Sequence, residues 1–164
     1  MGIIKGRVIK LGDNIDTDVI YPGKYLPIIE ASEMAAHALE GIDPSFPERI
    51  GRGDIIVAGS NFGCGSSREQ AATCLAAAGI GAVVAKSFSR IFYRNAINQG
   101  LPPIECAQAA DMIEEGEEVE VDLAGGQLRY SGGSLSFAAL PEFVMEILND
   151  GGLIAHTKKV MGKA

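Results

Sequence analysis

Tryptophan is absent from the 164 residues, histidine occurs twice and cysteine three times. Cys64, Cys74 and Cys106 are an odd set without CxxC spacing, which excludes a disulfide framework and a four-Cys zinc site. Cations are the minority charge: 14 Lys and Arg stand against 21 Asp and Glu, for a formal net charge of −7. A nucleic-acid footprint, which asks for a basic patch, is therefore not expected. No apolar run approaches the ~20 residues of a membrane span, so no membrane partner is expected either. Residues 1–7 lack a signal-peptide pattern, and the expected compartment is the soluble, reducing cytoplasm. What the chain has in quantity is apolar surface, 47% of residues, and 21 glycines. A chain of this length can bury roughly 70% of its unfolded surface, which fits a single domain over 1–164.

The pattern of elements is that of an α/β protein. Residues 3–11 alternate and are rich in β-branched side chains, which predicts a first strand. The polar segment 12–18 predicts a turn, and Val19-Ile20 a brief return to strand before Pro22-Gly23. Ser32 is placed to cap a short helix to about Leu39, and residues 41–53, with two prolines and no periodicity, read as a connection. Residues 54–58 and 82–85 are continuous apolar runs, the signature of strands buried on both faces of a parallel sheet. Helices are predicted over 67–78, stopped by Gly79, and over 88–99, stopped by Gly100. Residues 101–106 then give a strand whose prolines put it at an edge or a strand start. This βαβαβ alternation implies a parallel core with right-handed crossovers. From Val119 to Phe137, tight turns at Gly125-Gly126 and Gly132-Gly133 predict antiparallel strands, and Pro141 opens a last helix over 142–149.

The strongest local signal is Asn61-Phe62-Gly63-Cys64-Gly65-Ser66-Ser67-Arg68-Glu69, a glycine turn between a buried strand and a helix. Ligands of open α/β folds bind at such carboxyl ends of strands. Gly63 and Gly65 permit positive φ and a close backbone approach, and unpaired amides at a helix start favour an anion. A P-loop requires a Lys that is missing, and Arg68 stands where the dinucleotide fingerprint needs Gly or Ala. Two hydroxyls followed by a guanidinium suit a carboxylate. The plainer reading is a turn with Ser66 or Ser67 as helix N-cap and Arg68 in a surface pair.

These residues, with Asp16-Thr17-Asp18, Tyr25-Leu26, Lys86-Ser87-Phe88-Ser89-Arg90-Ile91-Phe92 and Asn95 through Pro102, resemble the small subunits of the aconitase superfamily. The likeness is nearest to the 3-isopropylmalate dehydratase small-subunit family, and homoaconitase small subunits share the layout. The resemblance implies a three-layer swivelling β/β/α domain with a mostly parallel core and an antiparallel C-terminal part. It also implies a large partner subunit, in a heterodimer or heterotetramer, that carries a [4Fe–4S] cluster, with no cluster or other metal on this chain. The reaction implied is isomerisation of 2- and 3-isopropylmalate by dehydration and rehydration in leucine biosynthesis. By resemblance, Ser66 matches the proton-abstracting serine, Ser67 and Arg68 match substrate-binding positions, and Asp18 an aspartate of the active-site shell. A serine oxyanion requires stabilisation, which turn amides, a helix N-terminus and Arg68 are expected to supply. The loop Tyr25-Leu26-Pro27-Ile28 matches the family's specificity loop. Members that accept a third carboxylate carry Arg shortly after the Tyr-Leu pair, where this chain has Pro27.

The cysteine spacing agrees that the cluster is not held here, since Cys74 lies in an Ala-rich helix and buried Cys is usually a small hydrophobe. Cys64, on the glycine turn, leaves a different reading open: a cysteine-nucleophile hydrolase with His37 or His156 as base. A stand-alone carboxylate-binding module, or a citramalate or dimethylmalate dehydratase, is a further alternative. Six carboxylates between Asp111 and Glu120 lack EF-hand spacing and read as a solvated face. Lys158, Lys159 and Lys163 read as an exposed basic tail, and Arg90 and Arg94 share one helix face.

Overall fold

The computed structural model describes residues 2–162, so Lys163 of the expected tail lies outside the described residues. The strands are β1 (Ile3–Lys10), β2 (Ile55–Ala58), β3 (Ala82–Ala85), β4 (Pro103–Glu105), β5 (Glu118–Asp122), β6 (Gln127–Tyr130) and β7 (Gly133–Ser136). They form a seven-stranded sheet in the order β4-β3-β2-β1-β5-β6-β7. β1 to β4 are parallel, and β5 to β7 continue the sheet antiparallel. The proline-bearing β4 is at an edge, as its missing amide donors require. β1 joins the two halves end to end. Residues 3–7 pair with β5, and residues 8–10 pair with β2.

The helices are α1 (Thr17–Ile20), α2 (Ala31–Ala35), α3 (Phe46–Arg49), α4 (Gln70–Ala77), α5 (Arg90–Asn98), α6 (Ala107–Met112), α7 (Glu142–Asn149) and α8 (Leu153–Val160). Strand alternation sorts the core into layers. Ile56, Ala58, Val83 and Ala85 share one apolar cluster with Met34 of α2, Leu75 of α4 and Phe92 of α5. Ile55, Val57, Ala82 and Val84 share another with Val119, Val121, Leu128 and Leu135 of the antiparallel half. The parallel strands are thus covered by helices on one face and by the antiparallel strands together with α6 on the other, in keeping with the expected β/β/α arrangement. Each fully buried Val or Ile contributes roughly 1.5–3 kcal/mol to holding those layers together.

Four local expectations are corrected. Val19-Ile20 is helical, because the Asp16 side chain accepts from the Asp18 amide and caps α1. Ser32 does not cap α2; Glu30 occupies that position without a side-chain bond, and the helix ends at Ala35. The connection 41–53 contains α3. The helix after the glycine turn begins at Gln70, not Ser67. Two helices, α6 within and before the acidic stretch and α8 at the C-terminal end, were not anticipated. Lys159 of the basic tail is paired with Asp150 at 3.1 Å, while Lys158 is exposed.

Candidate functional site

The segments leaving the carboxyl ends of β1, β2 and β3 are tied together by backbone bonds. The amide of Gly63 donates to Ile15 O at 2.8 Å, that of Thr17 to Cys64 O at 2.8 Å, and that of Phe62 to Ser87 O at 3.0 Å. Gly63 and Gly65 have φ of +80° and +98°, and a Cβ at Gly63 would stand 2.3 Å from Phe92 Cβ. Only glycine threads this turn between α5 and Asp16. Among the described residues, the amides of Gly65, Ser66 and Ser67 take no intramolecular hydrogen bond. They remain free donors for an anion.

Ser66 and Ser67 are exposed on this turn. Neither caps α4, whose cap position is Glu69, so the N-cap reading of these serines fails. The helix N-terminus also begins beyond Arg68, which leaves the turn amides and the guanidinium as the nearer anion-stabilising groups. Thr17, buried in the middle of Asp16-Thr17-Asp18, donates its hydroxyl to Ser66 O at 3.1 Å and has its Oγ1 3.3 Å from Ser66 Oγ. Arg68 Nη1 donates to Asp18 Oδ1 at 2.7 Å and to Tyr21 O at 3.1 Å. The Gly23 amide adds a bond to the same Asp18 oxygen at 2.9 Å. The Arg68 hydrogen bond, then that of Gly23, holds the Asp18 carboxyl below the usual carboxylate range. Nη1 is thereby engaged, and Nη2, which lies near Gly23, has no hydrogen-bond partner among the described residues.

The loop Tyr25-Leu26-Pro27-Ile28 follows directly. Tyr25 is half-buried, Leu26 and Pro27 are exposed, and Ile28 packs on the helix-side core. Pro27, Ile28 and Ile29 line a shallow cleft of ≈ 440 Å³ with Glu30 and Glu33 beside them. Sequence reasoning placed Ser66, Ser67, Arg68 and Asp18 at one site, and they do lie together. It missed Thr17 as the support of Ser66, Tyr21 as a carbonyl partner of Arg68, and Ser89, whose hydroxyl donates to Gly63 O at 2.8 Å. Only the Asp-x-Asp capping pattern around Thr17 offered a local signal.

The cysteines do not converge. Cys74 and Cys106 are buried in different apolar clusters and Cys64 sits on the turn. Burial pushes the Cys74 thiol far up, so it is inert at neutral pH. A [4Fe–4S] cluster, which needs three thiolates at one place, does not fit these residues. Among the described residues, neither imidazole is hydrogen-bonded to Cys64: His37 Nδ1 is bonded to Glu40 and His156 Nδ1 to Asp150. Among the described residues, no helix is long and apolar enough to cross a membrane.

Residues 39–109, which span the glycine turn and both crossover helices, match the aconitase C-terminal domain family. The small subunit of isopropylmalate/citramalate isomerase from Methanocaldococcus jannaschii is 52% identical over 164 residues, covering 99% of this chain and 98% of that protein. The chain belongs to the 3-isopropylmalate dehydratase small-subunit family. A further member, from Caldicellulosiruptor bescii, is 51% identical and covered to 98% on both sides. The methanogen homoaconitase small subunit of Methanothermobacter thermautotrophicus is 50% identical over 98% of this chain and 94% of its own. The crystal structure of a 3-isopropylmalate dehydratase chain from M. jannaschii superposes with a TM-score of 0.91 at 48% identity, covering 97% of this chain and 95% of that one. The family resemblance and the fold class expected of it are therefore both borne out.

Proposed function

We propose that this chain, acting as one swivel-type domain over 1–164, is the small subunit of a cytoplasmic hydro-lyase that interconverts 2- and 3-isopropylmalate. The observation that carries this reading is the convergence of Ser66, the free turn amides and the Asp18–Arg68 pair at the ends of β1 and β2. Dehydration removes a proton and a hydroxide from adjacent carbons, and rehydration returns them in exchanged positions. On this chain, Ser66 Oγ takes and returns the proton, with Thr17 fixing its backbone and side chain. The amides beside it stabilise the serine oxyanion. Ser67 and the free edge of the Arg68 guanidinium hold a substrate carboxylate, and Asp18 keeps that guanidinium oriented. The hydroxide half of the chemistry belongs to the large subunit and its iron–sulfur cluster.

The loop supplies selectivity. The cleft at Pro27 and Ile28 is lined by no cation and has Glu30 and Glu33 in its wall, which disfavours a third carboxylate there. An alkyl branch gains about 0.8 kcal/mol per CH₂-sized group, so an isopropyl arm gains ~2 kcal/mol. The substrate class is thus a branched alkylmalate, with citramalate-type substrates separated by only ~1–3 kcal/mol. Homoaconitate is the competing substrate. Co-purify the chain with its large subunit and measure kcat/KM for 3-isopropylmalate and homoaconitate. Isopropylmalate should be preferred, and Pro27→Arg should shift the ratio toward homoaconitate. A wild-type preference for homoaconitate overturns the substrate assignment.

A further inference from the structure

His37 and Glu40 lie outside the site described above, yet both are committed to Tyr25. The Tyr25 hydroxyl donates to Glu40 Oε1, and His37 Nδ1–H donates to Glu40 Oε2 at 2.7 Å. The imidazole stacks on the Tyr25 ring with centroids 3.6 Å apart and planes 14° from parallel. Glu40 is itself anchored on both sides. The Leu39 amide donates to Ile20 O at 2.8 Å and the Gly41 amide to Val19 O at 3.0 Å, both in the helical turn that carries Asp18. A Cβ at Gly41 would stand 2.5 Å from Val19 O, so this approach is as close as a chain allows. The Tyr21 hydroxyl closes the set by donating to Tyr25 O at 2.7 Å.

We propose that His37 and Glu40 are positioning residues for the substrate-facing loop: they clamp Tyr25 to the backbone of α1, and so hold Pro27 and Ile28 at a fixed place relative to Asp18 and Arg68. This rests on the reading of residues 25–28 as the substrate-selecting loop. Neither residue touches substrate in this scheme. They act through Tyr25, whose ring is held on a face and at its hydroxyl while Leu26 and Pro27 project into solvent. An unclamped loop of this kind samples many conformations, and ordering it on binding weakens affinity without altering the chemical step. The electrostatics agree with the geometry. Burial raises the Glu40 carboxyl, but the hydrogen bonds from Tyr25 and His37 outweigh it and leave the group below its ordinary range. As a carboxylate, Glu40 accepts from both partners.

The test uses the co-purified two-subunit complex with 3-isopropylmalate, and ring-proton NMR of tyrosine-labelled chain as a readout that needs no turnover. Glu40→Ala and His37→Ala should each raise KM about three- to tenfold with kcat changed less than about twofold. Glu40→Gln, whose amide oxygen accepts from Tyr25 and whose NH2 donates to His37 Nδ1 once the imidazole takes its Nε2–H tautomer, should restore KM to within about twofold of wild type. The upfield ring-current shift of Tyr25 should vanish in His37→Ala and persist in Glu40→Gln. A kcat loss at unchanged KM, or unchanged kinetics after the Tyr25 shift has vanished, overturns the positioning role. Tyr25 protons without an upfield shift in wild type overturn the clamp itself. A wild-type complex inactive on every alkylmalate refutes the function reading instead, and the NMR arm still decides the clamp.

Discussion

Arg68 and Asp18 meet across 50 positions of sequence, and Thr17 meets Ser66 across 49. Each half of these contacts is conspicuous on its own, because Gly63 to Arg68 is contiguous and Asp16-Thr17-Asp18 is compact. Nothing local announces their pairing, however, and it took the family resemblance to join them. Thr17 shows why support residues stay hidden: its buried hydroxyl works through Ser66, and a single threonine has no periodicity to read. The two functional side chains can be separated kinetically. Ser66→Ala in the two-subunit complex removes the proton acceptor while leaving the carboxylate grip, so kcat should fall by roughly 10²–10⁴ with little change in KM. Arg68→Lys replaces a planar fork already tied to Asp18 by one point charge, which cannot serve both Asp18 and a substrate carboxylate. Its KM should rise by about tenfold or more, with a smaller loss in kcat. Steady-state kinetics of the pair decide the matter; near-normal turnover in Ser66→Ala would move the base to another group.

Among the elements, those buried on two sides were legible from their apolar runs, and the more exposed ones only where a Gly-Gly turn or Pro141 marked them. β2 and β3 are apolar at every position, and both faces are covered. α8 lies at the opposite extreme: none of its residues is buried, and it is held to the body through His156 and Lys159 on Asp150. An inward apolar stripe, the usual helix signal, is therefore missing. α1 was obscured by β-branched Val19 and Ile20, whose strand preference loses to the Asp16 cap and to the Leu39 and Gly41 amides that bond its carbonyls. α5 was legible from its Gly100 stop, although it begins at Arg90 and not Phe88, and the Ser89 that caps it has two tasks. Its Oγ accepts from the Phe92 amide at 3.2 Å and donates to the Gly63 carbonyl at 2.8 Å, so it caps the helix and secures the glycine turn together. Ser89→Ala should cost about 1–2 kcal/mol in urea unfolding, at the upper end for a cap, because a carbonyl at the turn is also left unpaired. A loss under about 0.5 kcal/mol would mean that water replaces both bonds and that the turn is held by the strand-end bridges alone.

On the scale of the molecule, the parallel half came from unbroken apolar runs and the antiparallel half from its Gly-Gly turns, but their junction was not legible. An alternating strand such as 3–11 satisfies a partner of either direction, and its change of partner partway along depends on what packs over it. The structure locates that change beside Gly6. This residue pairs with Val119 of β5, and a Cβ added to it would stand 1.9 Å from the Gly53 carbonyl oxygen and 3.2 Å from Ile55 Cγ1. Gly53 cannot retreat easily, since its amide donates to Gly79 O at 2.7 Å at the end of α4. A methyl group at position 6 must therefore push the start of β2 away from β1, or β1 away from β5. Either movement opens the apolar layer shared by the two halves and displaces the strand ends that carry Asp18 and Ser66. Gly6→Ala should cost more than about 3 kcal/mol in urea unfolding, the range of a severe packing conflict. Gly12→Ala is the matched control, because nothing lies within 4 Å of a Cβ there, and it should change stability by less than about 0.5 kcal/mol. Amide exchange distinguishes a damaged junction from a merely weaker strand. In Gly6→Ala, protection should fall together in β2 and β5, the two neighbours of β1. Loss confined to β5 would show that the parallel half stands without the junction, and that the site's geometry does not depend on it.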